Sequence, residues 1–184
     1  MMKDKEDGKL KGIKVVNVIA STKACEPLDI DVLSTSLKRV QYEPEIFSGL
    51  VYRREDPHAT IVMFRTGKMV SSGTNSEAIA RKSLKVTMKE IGVKSFAPIR
   101  IENVVAIADL AREIDLESLA YLQPLLGRVF YDPDQFPGLA CRYDKVVIRI
   151  FRNGKLTVVG ARKENQIKTI INRFVSFLKE RSLL

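Results

Sequence analysis

Apolar residues recur with the period of a strand from Ile13 to Ala20 (IKVVNVIA) and again from Ile99 to Ala106 (IRIENVVA). Each run is followed by an aspartate placed to cap a short helix: Asp29 precedes Ile30 and Leu33, and Asp115 precedes Leu116 and Leu119. Strand-like runs come next at Leu50 to Arg53, Thr60 to Phe64 and Lys68 to Ser72, and later at Leu139 to Arg142, Val146 to Phe151 and Lys155 to Val159. Tight turns at Gly67 and Gly154 join the last two strands of each set. Two longer amphipathic helices complete the pattern, one with Ala80, Leu84, Met88 and Ile91 on a stripe ending at Gly92, the other with Ile167, Ile170, Ile171, Phe174 and Leu178. The predicted order is strand, helix, strands, helix, twice over, and so few helices can cover only one face of a ten-strand-scale sheet.

The strands are nevertheless apolar on both faces. In TIVMF, Ile61 and Met63 point one way and Val62 and Phe64 the other. If helices cover Ile61 and Met63, then Val62, Phe64, Val70, Val15 and Ile19 belong to an open apolar face, which usually marks a binding surface. A sheet sandwich or a homodimer burying that face explains the same pattern.

The doubling extends to residue identity. Tyr42 to Arg53 reads YEPEIFSGLVYR and Tyr131 to Arg142 reads YDPDQFPGLACR, with six of twelve positions identical. FRTGK at Phe64 to Lys68 matches FRNGK at Phe151 to Lys155 at an offset of 87, and the opening strands match at an offset of 86. An internal repeat of this kind sets the architecture. The expected organisation is a mobile tail over residues 1–11 and two homologous halves, 12–96 and 97–184.

Composition narrows the function class. The 184 residues carry a formal net charge of +9, divided as +1 on the tail and +4 on each half. A polyanionic partner touching both halves accounts for that division, with nucleic acid ahead of an acidic membrane surface, and a merely solvated basic face as the plain alternative. No run approaches the roughly eighteen apolar residues of a membrane span, and the first eleven residues are too charged for a signal peptide. Cys25 and Cys141 lack metal-ligand spacing and read as free thiols of an intracellular protein. The single histidine, His58, lies in a charged turn without clustered carboxylates, so no metal, cofactor or catalytic site is expected.

Polar and aromatic residues on the open face favour a duplex. Asn17 lies between Val15 and Ile19, and Asn103 between Ile101 and Val105. A dry core would leave both amides needing partners, whereas a minor groove offers N3 and O2 acceptors at every base pair. Phe47 and Phe136 fall in loops just before a strand, Phe64 and Phe151 at strand ends. Aromatic wedges at two separated edges can unstack base steps and kink a duplex; the plain alternative is core plugs beneath loops. Arg53, Arg65 and Lys68, and Arg142, Arg152 and Lys155, flank them where phosphates would run.

The doubled YxPxxFxG block, the doubled FxxGK turn and the paired asparagines resemble the TATA-box-binding protein family of archaeal and eukaryotic promoter-recognition factors, over about residues 12–179. That resemblance implies an α+β fold of two tandem repeats in a pseudo-twofold saddle, a curved antiparallel ten-strand sheet with helices on its convex face. It also implies a general initiation factor that is not an enzyme, bends TATA-like promoter DNA, and recruits transcription factor IIB and the RNA polymerase assembly. Minor-groove bending by this family is a standard example, so the mechanism comes with the resemblance. By position, Phe47, Phe64, Phe136 and Phe151 would intercalate. Asn17, Asn103, Ile19, Val105, Val62, Val70, Ser72, Thr157, Val159 and Pro137 would meet the minor groove. Arg53, Arg65, Lys68, Arg142, Arg149, Arg152 and Lys155 would meet phosphates, and Asp132 and Asp134 the factor IIB partner. The protein would act as a monomer on DNA, with a homodimer as its free form, in the cytoplasm or nucleoid of an archaeon or the nucleus of a eukaryote.

The chain departs from the family where Ser72 and Val159 replace threonines, Asn75 and Arg162 replace lysines, and Arg149 replaces a leucine opposite Val62. Two other readings stay open. One is a paralogue that regulates through protein contacts, for which the basic stripe Arg81, Lys82, Lys85 and Lys89 would serve. The other is an accessory domain of a nucleic-acid enzyme, which would need a catalytic domain that these residues do not carry.

Overall fold

The computed structural model describes residues 10–125 and 127–184. The expected tail lies outside the described residues except for Leu10 and Lys11. Ten strands form the sheet: β1 (Lys11–Lys23), β2 (Val40–Glu43), β3 (Phe47–Arg54), β4 (Ala59–Met63), β5 (Lys68–Thr74), β6 (Arg100–Asp109), β7 (Val129–Phe130), β8 (Gly138–Tyr143), β9 (Val146–Phe151) and β10 (Lys155–Ala161). Among the described residues four α-helices accompany them: α1 (Ile30–Ser36), α2 (Glu77–Glu90), α3 (Leu116–Ala120) and α4 (Glu164–Lys179). This is the α+β class with the doubled element order that the periodicity predicts. The short edge strands β2 and β7 are additions, too brief to show a period.

The described residues divide into two compact units, Val16–Val104 and Val105–Leu184, the latter completed by residues 10–15. The pairing order is β2-β3-β4-β5-β1 in the first unit and β6-β10-β9-β8-β7 in the second. The hairpin pairs β3/β4, β4/β5, β8/β9 and β9/β10 are antiparallel.

Burial is one-sided. Ile61, Met63, Met69 and Ser71 are fully buried, while Val62, Phe64, Val70 and Ser72, the alternate positions, stay half-exposed. The same alternation runs through β9 and β10, with Ile148, Ile150, Leu156 and Val158 buried. α2 covers β4 and β5, and α4 covers β10. Burying one leucine- or isoleucine-sized side chain stabilises by about 1.5–3 kcal/mol, so these two rows dominate the stability of each unit.

Local chemistry sets the helix ends. The aspartates sit as expected: Asp29 accepts from the Val32 amide at 3.1 Å and Asp115 from the Ser118 amide at 3.1 Å. Those bonds to Ser118 hold the Asp115 carboxyl below its ordinary range. α2 begins at Ser76, whose side chain accepts from the Ile79 amide at 3.2 Å, and stops at Gly92, which takes φ +75. Ile91, expected on the buried stripe, is instead the half-exposed C-cap. In the second unit Phe174 packs edge-on against Tyr143 at 5.3 Å and stacks on Phe177 at 6.1 Å.

Among the described residues the buried polar and charged side chains all belong to the first unit. Ser71 and Ser83 share a 2.8 Å hydrogen bond between β5 and α2. Arg54, almost fully buried, pairs with Glu90, which also accepts from the Tyr52 hydroxyl at 3.0 Å. Burial first, and Glu90 second, push the Tyr52 hydroxyl above its usual pKa.

Ile61→Ala is expected to lower unfolding free energy by about 2–5 kcal/mol in urea titration. Val62→Thr, one residue away on the open face, should change it by less than about 1 kcal/mol. Comparable losses from both would contradict one-sided burial. Cys141 is fully buried, its thiol pushed up to about 11 by desolvation, whereas Cys25 is exposed. A thiol reagent near pH 8 should therefore modify Cys25 and spare Cys141 until the protein unfolds, because only the thiolate reacts.

Candidate nucleic-acid interface

The two FRxGK turns have one construction. Gly67 donates to the Phe64 carbonyl at 2.9 Å and Gly154 to the Phe151 carbonyl at 2.9 Å. Both glycines take positive φ, +84 and +80, and neither has room for a side chain. A Cβ would meet the Ala24 carbonyl oxygen at 2.8 Å in the first unit and the Arg112 carbonyl oxygen at 2.1 Å in the second. Glycine is required twice over, by torsion and by the segment that crosses above.

Each turn carries a phenylalanine to a partner ring. Phe47 and Phe64 meet edge to face at 5.9 Å, and Phe136 and Phe151 at 5.6 Å. Phe136 precedes β8 in a loop as expected, but Phe47 is the first residue of β3, because its backbone pairs with Glu43. Phe47 is 46% exposed, an unusual state for a ring of that size. The rings lean over glycines: a Cβ on Gly49 would lie 2.6 Å from the Phe47 ring, and one on Gly138 would lie 2.8 Å from Phe136 and 2.9 Å from Phe151. These two glycines are site residues in their own right. The repeated FxG spacing pointed to them, but not to the direction in which the ring folds.

Behind each ring pair the open face is ordered in cross-strand rows. In the first unit a middle row of Val51, Val62 and Val70 is followed by an outer row of Arg53, Thr60 and Ser72. In the second unit the middle row is Ala140, Arg149 and Thr157, and the outer row is Arg142, Val147 and Val159. Polar and apolar character are thus exchanged between rows. The middle row of the second unit also ends on Phe130, which pairs with Ala140 and is 62% exposed. Val15, Asn17 and Ile19 on β1, and Asn103 and Val105 on β6, are half-exposed, as alternation requires. β6 continues past the expected end to Asp109 and so adds Ile107, 42% exposed.

Asn17 is not an unpartnered amide. Its Oδ1 accepts from the Gly73 amide at 2.8 Å, where the β1/β5 register shifts between Val18 and Ala20. With the oxygen occupied, the side chain presents its NH2 group, a donor. Asn103 also has a partner within the protein. The need for an outside partner is therefore narrower than polarity alone suggests: at Asn17 it is confined to the NH2 group.

The cations fall into two groups. Arg53, Lys68, Arg142, Arg149 and Lys155 have exposed side chains and, among the described residues, no side-chain hydrogen bond or ion pair. Arg65 and Arg152 are instead held by acids. Arg65 pairs with Asp31 at 2.7 Å and meets the Tyr42 hydroxyl at 3.1 Å. Arg152 pairs with Glu117 at 3.0 Å, and Glu117 accepts from Tyr131 at 3.2 Å. The repeated tyrosine and the repeated turn arginine thus belong to one surface cluster in each unit. Both pairs are exposed and screened by solvent, so an anion could compete for either arginine. Asp132 accepts from the Gln135 side chain at 2.8 Å, and Asp134 is exposed beside the Phe136 loop. Pro137 is exposed between Phe136 and Gly138. Arg81 of the basic stripe donates to the Ile99 carbonyl at 2.6 Å, leaving Lys82, Lys85 and Lys89 as its exposed members.

The family described as "Transcription factor TFIID (or TATA-binding protein, TBP)" matches residues 12–92 and 98–181. The chain belongs to the TATA-binding protein family. It is 35% identical over 179 residues to the TATA-box-binding protein of Archaeoglobus fulgidus, covering 94% of this chain and 97% of that one. To the TATA-box-binding protein of Methanocaldococcus jannaschii it is 37% identical over 175 residues, 91% of this chain and 94% of that one. The solved structure titled Methanococcus jannaschii TBP superposes with a TM-score of 0.78 at 35% identity, covering 91% of this chain and 98% of that chain. Within this TATA-binding protein fold, the exchange of polar and apolar rows distinguishes one unit's open face from the other's.

Gly138→Val should displace Phe136 and Phe151 from their edge-on contact. The expected result is loss of the ring-current shift between them in NMR spectra, with the methyl resonances of Leu156 and Val158 on the buried face unchanged. An unaltered ring contact would contradict the close approach.

Proposed function

We propose that this protein is a general transcription initiation factor that binds the minor groove of TATA-like promoter DNA and kinks it by inserting phenylalanines. The observation that carries this is the repeated edge-on Phe–Phe pair over a glycine, half-exposed apart from the exposed Phe47 and flanked in each unit by cations without internal partners. Aromatic surface left in water is unfavourable, and unstacked base steps would supply flat apolar partners that cover it. The valine rows and Ile19, Val105 and Ile107 would lie against sugar and base edges. Asn17, already bonded through its oxygen, would donate to N3 or O2 acceptors.

Arg53, Lys68, Arg142 and Lys155 would neutralise phosphates, each contributing a salt-dependent, sequence-independent share of affinity. Arg65 and Arg152 would join them only by exchanging Asp31 and Glu117 for phosphate. Asp132 and Asp134, beside the Phe136 loop, would present acidic groups to transcription factor IIB and so bring the RNA polymerase assembly to the promoter. The protein would do this as a monomer on DNA, by binding and deformation and with no chemical step of its own.

Binding and bending of a doubly labelled TATA-like duplex test the proposal. Phe136→Ala and Phe151→Ala should each reduce bending, whereas Lys155→Ala should leave the bend angle intact and lower the slope of log affinity against log salt by about one. Wild-type protein that neither binds nor bends the duplex in the presence of factor IIB would refute it.

A further inference from the structure

The second unit's middle row is the least expected feature of the open face. Arg149 stands between Ala140 and Thr157, where the first unit has Val62 between Val51 and Val70. No acidic residue lies in this row or in the rows beside it, which hold Gly138 and Phe151 on one side and Arg142, Val147 and Val159 on the other. Among the described residues the guanidinium has no hydrogen bond or ion pair. A cation set among apolar groups without a partner is unfavourable once covered, so what covers this face must supply acceptors. The residues beside Arg149 in register are small, and β9 is flanked by paired strands on both sides, so the guanidinium stands above the middle of the unit's face. Arg142, one of the unit's phosphate candidates, lies one row farther from the phenylalanines, about 7 Å along the strand.

We propose that Arg149, with the Thr157 hydroxyl beside it, is a specificity-determining residue that reads base edges from the second unit alone and so sets the direction of the protein on its element. This rests on the minor-groove function proposed above. A guanidinium offers donors only. An A·T pair presents N3 and O2 acceptors in the minor groove, whereas G·C adds the guanine 2-amino donor, which would face Arg149 donor to donor. Val62, the counterpart, can oppose that amino group by shape but offers it no like-signed partner. A G·C pair should therefore be penalised more in the half-element facing the second unit than in the half facing the first.

The test uses the full chain and a TATA-like duplex carrying one G·C or one inosine·C pair in either half. A cleavage reagent tethered to exposed Cys25 reports orientation, Cys141 being buried. Wild-type protein should bind roughly five- to tenfold more weakly when G·C faces the second unit than when it faces the first. Inosine, which lacks the 2-amino group, should erase the difference. Arg149→Val, which copies the first unit, should equalise the two halves and scramble orientation, and Arg149→Lys should retain the salt slope while losing part of the discrimination. Equal G·C penalties in wild-type protein would overturn the inference. So would a preference that survives in Arg149→Val while the salt slope falls by about one, the signature of a phosphate contact. Failure of wild-type protein to bind any of these duplexes would overturn the DNA-binding function itself, and this inference with it.

Discussion

Every feature of the open face follows from burial on one side of the sheet. Within each unit the helices bury a single face, Ile61, Met63 and Met69 in the first and Ile148, Ile150, Leu156 and Val158 in the second, and strand alternation then forces Val62 and Val70, or Arg149 and Thr157, onto that unit's other face. The helices are too few to cover both faces. The second face therefore remains apolar and accessible without any local sequence rule being broken, a state that a partner has to relieve.

The edges of that face are made by glycine and phenylalanine together. Gly67 and Gly154 let the turns pass beneath a crossing segment, and Gly49 and Gly138 give the rings a place to lean. Edge-on ring pairing then holds each phenylalanine against its partner rather than loose in solvent. On the proposed function, pre-ordered rings would lose less entropy on insertion than mobile ones, and the turns and glycines would matter to binding as well as to folding.

Duplication sets up two similar faces, and substitution has since made them different. The first unit has valines throughout its middle row and Thr60 and Ser72 in its outer row; the second has Arg149 and Thr157 in the middle row and Val147 and Val159 in the outer one, with an arginine keeping its place in both outer rows. A duplex backbone has approximate twofold symmetry, whereas the order of its bases does not. Matching phenylalanines and cations suit the backbone, and the reversed rows are where a base order could be read.

Much of this was legible in the chain. The repeat, both capping aspartates, the glycine turns and the buried stripes are consequences of period, torsion and local hydrogen bonding, which act between residues close in sequence. The strand ends were less legible: β6 gained Ile107, and Phe47 moved from loop into strand, because pairing with a neighbour extends a strand beyond its own periodic pattern. Partners across the fold were not legible at all. That Arg65 belongs to Asp31 and Tyr42, that the Asn17 oxygen is taken by Gly73, and that Arg149 stands between Ala140 and Thr157 all depend on register between strands or packing between elements. By itself the sequence determined the fold class, the doubling and the residue types on the open face. Tertiary structure decided which of those residues are already satisfied and which still need a partner, because a hydrogen bond depends on distance in space, and spacing along the chain does not supply it.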